Sequence, residues 1–223
     1  MYKTITNIKA IIFDMDGTLV DSEIFTEKSV EKLLKDNTTE TKDLDLKQFH
    51  GITWDAITDI LINLYPPLRD IPVKDILQNS FHELFVSGDM HYIPGADTFF
   101  HRAASVLKTA IATSSNKESV EYLLDRMKIR ETITTWLSAE NYTHSKPHPE
   151  CYLKTAEKLK ADPAHCLVFE DSIPGLMSGR AAGMQTVGIS KNATDLETMK
   201  KHSTITIEDF TKLPDNFFEL ISD

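Results

Sequence analysis

Asp14 and Asp16 stand one residue apart, directly after the apolar run Ala10-Ile11-Ile12-Phe13 and directly before Gly17. The run reads as a buried strand and the glycine as its break. In an open α/β sheet, ligands bind beyond the carboxyl ends of the strands, so both carboxylates are expected in a site. Carboxylates held this close repel each other unless a cation or a proton intervenes. The arrangement points to three components: a metal, a nucleophile and a proton carrier.

Three further strand ends carry groups that suit the same chemistry. Thr113-Ser114-Ser115-Asn116 follows the run at 109–112 and opens a helix. Such a turn offers hydroxyls and free backbone N–H groups to a phosphate. Thr113-Ser114-Ser115 read alone is a helix N-cap, and one turn can serve both purposes. Ser145-Lys146-Pro147 follows a weaker run at 134–138. Its lysine is a point charge able to reach a central site, or, read alone, a surface residue. Glu170-Asp171 follows the run at 166–169. It is a second acidic pair or, read alone, a loop pair. Together these groups make four acids, one lysine and a hydroxyl-rich anion cradle. Four acids and a phosphate require a cation, and oxygen-only ligands point to Mg²⁺.

A parallel sheet is what would deliver those ends to one place. Further strands are expected at 186–189 and 204–207, with helices between strands at 117–127, 150–159 and 173–182. Strands alternating with helices of this length imply βαβ units with right-handed crossovers and helices on both faces. The alternation fails between residues 22 and 92. There the apolar spacing is helical: Ile24, Val30, Leu33 and Leu34; then Ile57, Ile60, Leu61 and Leu64; then Val73, Ile76, Leu77, Phe81, Leu84 and Phe85. Pro66-Pro67 separates two of these helices. Residues 37–47 read as a polar loop. The fold class expected is α/β: a Rossmann-like parallel-sheet core from residues 1–21 and 93–223, interrupted by a small all-helical domain over 22–92.

Composition narrows the partners. The 223 residues include 41% hydrophobic and 26% charged side chains, an ordinary globular balance, and carry a net charge of −10. Nucleic-acid binding rests on basic patches, and anionic membranes repel acidic proteins, so neither partner is expected. Cys151 and Cys166 form no CxxC pair, and two reduced, inert thiols are expected. The first ten residues lack the apolar core of a signal peptide, and no stretch is long enough to span a membrane. A cytoplasmic location is expected, and the sequons at Asn37, Asn141 and Asn192 are read as chance matches. Nothing demands a partner chain, and a monomer is expected. His144, His148 and Cys151 lie close in sequence, either as a metal site or by chance within a loop.

With these motifs in order, the chain resembles the haloacid dehalogenase superfamily, in its β-phosphoglucomutase-like branch. The family's DxDGT is matched by Asp14-Met15-Asp16-Gly17-Thr18, and its strand-end hydroxyl by Thr113. Its KPxP is matched by Lys146-Pro147-His148-Pro149, and its EDSxxG by Glu170-Asp171-Ser172-Ile173-Pro174-Gly175. The segment Ala181-Ala182-Gly183-Met184 is also similar. The resemblance spans essentially the whole chain. It implies that Asp14 attacks phosphorus, and that Asp16 protonates the leaving oxygen and then activates water. It implies that Thr113 and Lys146 hold the nucleophile and the phosphoryl oxygens, with Gly17 and Ser114 in the phosphate cradle. Mg²⁺ would be held by Asp14, the Asp16 carbonyl and Asp171, with Glu170 bound directly or through water. The helical insertion would be a cap that excludes water and selects the substrate, a small phosphorylated metabolite.

The same resemblance ranks the reactions. Hydrolysis of a small phosphomonoester comes first and a sugar phosphomutase second. The mutases carry a cap histidine and a cap arginine where this chain has Thr26 and Trp54, which weighs against them. Asp16 weighs against C–halogen cleavage, which has no leaving oxygen to protonate. Phosphonate cleavage would need a cap lysine, and Lys28, Lys32 and Lys35 lie on a solvated helical face. A non-catalytic phospho-acceptor module is the reading from another class, although such modules are shorter and lack DxDGT. Residues expected to select substrate are Glu23, His50, Gly51 and Trp54. For Glu23 a solvated helix start is an equal reading, and for Trp54 a place in the cap core.

Overall fold

The computed structural model describes residues 5–38, 44–50 and 52–222. Six strands form one sheet: β1 (Ala10–Phe13), β2 (Lys108–Ala112), β3 (Thr135–Leu137), β4 (Cys166–Glu170), β5 (Gln185–Ile189) and β6 (Ile205–Ile207). Their order is β3-β2-β1-β4-β5-β6, and every pairing is parallel. Each expected strand is present, with half of the ends displaced by one residue. The short apolar runs read well because strands buried on both faces need no polar alternation.

The chain steps outward from β1 to β2 and β3, then crosses to β4 on the other side of β1. This reversal is the topological switch point, where α/β sheets open a crevice beyond their carboxyl ends. The strands β1, β2 and β4 end there, delivering Asp14, Thr113 and Glu170.

Period-two alternation gives β1 two different faces. Ala10 and Ile12 pack with Cys151, Tyr152, Ala156 and Leu159 of α6 (Glu150–Leu159). On the opposite face Phe13 stacks on Phe169 with ring centroids 5.3 Å apart and meets Phe99, Phe100 and Phe210. Such aromatic pairs add about 0.5–1.5 kcal/mol each beyond their buried area. The strand carrying the first aspartate is thereby clamped from both sides.

The described residues up to Asp21 and from Tyr92 onward form one compact unit, and Ser22–His91 form another. The second unit is all-helical, built from α1 (Glu23–Asn37), α2 (Trp54–Leu64) and α3 (Val73–Ser87). Val30, Leu33, Phe49, Ile57, Leu61, Val73 and Leu77 make its core. Pro66-Pro67 opens a 3₁₀ turn, Pro66–Asp70, between α2 and α3. The first unit adds α4 (Ala96–Val106), α5 (Lys117–Arg126), α6, α7 (Ile173–Ala181), α8 (Leu196–His202) and α9 (Phe217–Leu220). Among the described residues no helix is long and apolar enough to cross a membrane.

Candidate active site

The turn after β1 positions the two aspartates. Asp14 extends the ladder by donating its N–H to the Phe169 carbonyl at 2.9 Å. The chain then folds back, with Gly17 N–H on the Val20 carbonyl at 2.7 Å and Val20 N–H on the Met15 carbonyl at 3.0 Å. Gly17 sits at φ +74°, a conformation that favours glycine. A Cβ there would lie 2.0 Å from Asp171 Oδ2, so the glycine also makes room for the second acidic pair. Asp16 accepts a short hydrogen bond from the Ser115 hydroxyl.

Lys146 ties the strand ends together. Its Nζ donates to Asp14 Oδ1 and to Glu170 Oε1, both at 2.6 Å, and to the Ala112 carbonyl at 3.2 Å. The side chains of Lys146, Asp14 and Glu170 are 7%, 9% and 1% exposed. Burial by itself would lower the Lys146 ammonium, but Asp14 and Glu170 outweigh it and hold its pKa well above the usual value. The lysine is therefore a fixed positive charge at the centre of the switch point.

One lysine does not balance the acids around it. Ligand oxygens of Asp14, Glu170 and Asp171 all lie within 4.8 Å of one another. Burial raises the Asp14 carboxyl well above its ordinary range; Lys146 opposes the rise, while Glu170 and Asp16 add to it. Burial likewise raises Asp171, with Glu170 and Asp14 adding. Thr18 Oγ1 donates to Asp171 Oδ1 at 3.1 Å and orients it. A cluster of hard oxygen donors, short of positive charge, fits a divalent cation of the Mg²⁺ type.

Glu170 is held on all sides. Oε1 accepts from Lys146 and from the Tyr152 hydroxyl at 3.0 Å; Oε2 accepts from the Ser172 N–H and hydroxyl, both at 2.9 Å. The same Ser172 hydroxyl accepts the Gly175 N–H at 3.0 Å and so caps α7. A Cβ at Gly175 would lie 1.8 Å from Glu170 Oε1. This glycine gives the buried acid its space.

The hydroxyl-rich turn differs from expectation in one respect. Asn116 caps α5, its side chain accepting the Ser119 N–H at 2.9 Å. That releases the preceding hydroxyls from capping. Thr113 is buried, and its Oγ1 accepts the Ser115 N–H at 3.0 Å. Ser114 is exposed, and its hydroxyl accepts from the Tyr142 hydroxyl at 3.3 Å. Tyr142 also bonds the Thr113 carbonyl at 2.9 Å, joining the turn to the segment that leads to Lys146.

Asp14, Asp16, Gly17, Thr113, Ser114, Lys146, Glu170 and Asp171 are thus gathered at one end of one sheet. Sequence reasoning missed Tyr152 and Tyr142, and named Ser115, Thr18 and Ser172 only as members of their motifs. Tyr152 carries the helical spacing of a core residue, which conceals its hydroxyl. Ser172 could have been found as a Ser three residues before Gly175, the spacing of a helix cap. Glu23, His50 and Trp54 belong to the helical unit, and Gly51 lies outside the described residues. Glu23 begins α1 half-buried. His50 Nε2 meets Glu27 Oε1 at 2.7 Å. Trp54 packs edge-on against Phe81 with centroids 5.5 Å apart, at the margin of the helical core.

Residues 11–189 match the family described as haloacid dehalogenase-like hydrolase. The chain belongs to this hydrolase family. It is 28% identical over 189 residues to hexitol phosphatase B of Escherichia coli, covering 81% of this chain and 82% of that one. It is 28% identical over 194 residues to the bifunctional riboflavin kinase/FMN phosphatase of Arabidopsis thaliana. That match covers 80% of this chain and spans about half, 48%, of the plant enzyme. The β-phosphoglucomutase of Clostridium difficile shares the fold with a TM-score of 0.68 at 19% identity, over 95% of this chain and 96% of that one. As a family member the chain is an enzyme.

Proposed function

We propose that this enzyme is a Mg²⁺-dependent phosphatase that hydrolyses a small phosphomonoester through an aspartyl-phosphate on Asp14. The observation that carries the reading is the buried Lys146 ammonium, 2.6 Å from both Asp14 and Glu170. It fixes Oδ1 of Asp14 and leaves the other carboxylate oxygen to act as nucleophile. The hexitol phosphatase relative supports the same reaction class.

Catalysis divides into two displacements at phosphorus. Asp14 attacks and the ester P–O bond breaks, while Asp16 gives its proton to the leaving alkoxide. Water then attacks the phosphoryl group, Asp16 takes its proton, and the Asp14–phosphate bond breaks to release inorganic phosphate. The Ser115 hydroxyl orients Asp16 for both transfers. Lys146 and the Thr113–Ser114 turn steady the phosphoryl oxygens. Asp14, Asp171 and the Asp16 carbonyl would hold Mg²⁺, with Glu170 bound directly or through water. When bound, the ion offsets the repulsion between Asp14 and the substrate phosphate.

Substrate choice is assigned to the helical unit and to Glu23, His50, Gly51 and Trp54. A mutase needs a second phosphate site there. Thr26 is buried and Trp54 packs on Phe81, so neither position offers a positive charge. With p-nitrophenyl phosphate and Mg²⁺, the wild-type enzyme should release phosphate steadily and stop on chelation. Asp14→Asn should lose turnover by a factor on the order of a thousand or more. Wild-type rates in that variant would end the proposal.

A further inference from the structure

The segment from residue 143 to 150 carries Lys146 and also a second cluster of metal-ligating side chains. His144, His148 and Glu150 each bring a ligand atom, and these atoms lie within 4.8 Å of one another. The imidazole rings of His144 and His148 have centroids 4.5 Å apart at 35°. His144 Nδ1 meets Glu150 Oε2 at 2.7 Å, and His148 Nδ1 lies 3.3 Å from the Glu150 N–H. The sequence pattern paired the histidines with Cys151, but α6 starts at Glu150 and turns the next residue inward. Cys151 is buried beneath the sheet, with Sγ 3.8 Å from Ser178 Oγ. The acid replaces the thiol as third ligand.

We infer that His144, His148 and Glu150 form a binding site for a borderline divalent transition ion such as Zn²⁺, separate from the oxygen-only cluster at Asp14. Two imidazoles and one carboxylate with open positions are a donor set that Zn²⁺, Ni²⁺ or Cu²⁺ takes and that Mg²⁺ does not favour. The backbone preorganises the site. Glu150 is anchored by the Thr143 and His144 N–H groups at 3.1 and 2.9 Å, and the His148 carbonyl accepts the Ser178 hydroxyl at 2.7 Å. The Lys154 ammonium lies 2.7 Å from Oε1 of Glu150, leaving Oε2 to the histidine. An ion held by His144, His148 and Glu150 would displace the hydrogen shared between His144 Nδ1 and Glu150 Oε2, and the two atoms would separate to admit it. Bound there, it staples the segment presenting Lys146 to the first turn of α6.

Calorimetric titration with Zn²⁺, in saturating Mg²⁺ to occupy the oxygen cluster, tests the site. The expected result is one saturable site per chain, weakened on the order of tenfold or more in His144→Gln and in His148→Gln. His202→Gln, outside the cluster, should bind as the wild type does. Circular dichroism without zinc checks that the variants fold, and zinc should raise the melting midpoint of the wild type but not of the double variant. No saturable binding, or equal binding in the double variant, would overturn the assignment.

Discussion

At the scale of single residues, the site is built from groups that only make sense together. Asp14 and Asp171 are pushed toward the neutral form by burial and by their acidic neighbours, while Lys146 is held as a cation by the same neighbours. Asp14, Asp16, Glu170 and Asp171 stood out because each pair closes an apolar run and carries charge, whereas Lys146 stood out only by its place before Pro147 in the ordered motif set. The residues behind them did not, because their chemistry is one atom on an apolar body. Tyr152 is the clearest case: fully buried, packed under the sheet, its hydroxyl on Glu170 and its ring 5.0 Å from the Lys146 ammonium. Tyr152→Phe removes a hydrogen bond to a charged acceptor, worth about 1.5–3 kcal/mol. A lowered urea midpoint and a reduced kcat are expected, since Lys146 shares the same Glu170 oxygen. An unchanged midpoint and rate would show that Glu170 is positioned without the tyrosine.

At the scale of elements, helix starts do more than the apolar pattern discloses. The strand positions were readable because fully buried parallel strands write themselves as apolar runs. The caps were read less well: the hydroxyl turn looked like a cap for α5, yet Asn116 fills that role and frees Thr113 and Ser115 for the site. The start of α7 couples fold to chemistry most tightly, with Ser172 capping the helix and binding Glu170 through one hydroxyl. Gly175→Ala would set a methyl group 1.8 Å from Glu170 Oε1, so either the acid or the helix must move. Overpacking of this kind costs about 1–3 kcal/mol. The expected outcome is a lower melting temperature with a disproportionate loss of kcat. A variant that melts lower but keeps full kcat would show that the Lys146–Glu170 contact tolerates the shift.

At the scale of the whole molecule, both cysteines lie in the core of the sheet unit, which makes them reporters of its integrity. Burial, and then Asp162, push the Cys166 thiol up to about 11. An unfolded cysteine titrates at about 8.5, so this raised acid leaves stability intact below that pH. Stability is then lost as the pH climbs from there toward the folded value. The native protein should resist iodoacetamide at neutral pH and label Cys166 progressively in alkali, as read by peptide mass spectrometry. Rapid labelling of the native protein at neutral pH would contradict the closed core. The sequence signal for an all-helical insertion was the failure of the strand–helix alternation between residues 22 and 92, where the apolar spacing is helical.

The most direct test of the account is to trap the phosphorylated residue. Borohydride added during turnover reduces an aspartyl-phosphate to homoserine, which peptide mass spectrometry locates. The account predicts homoserine at position 14, only when both substrate and Mg²⁺ are present. Turnover with no reduction product at Asp14, or with the product at another acid, would contradict it.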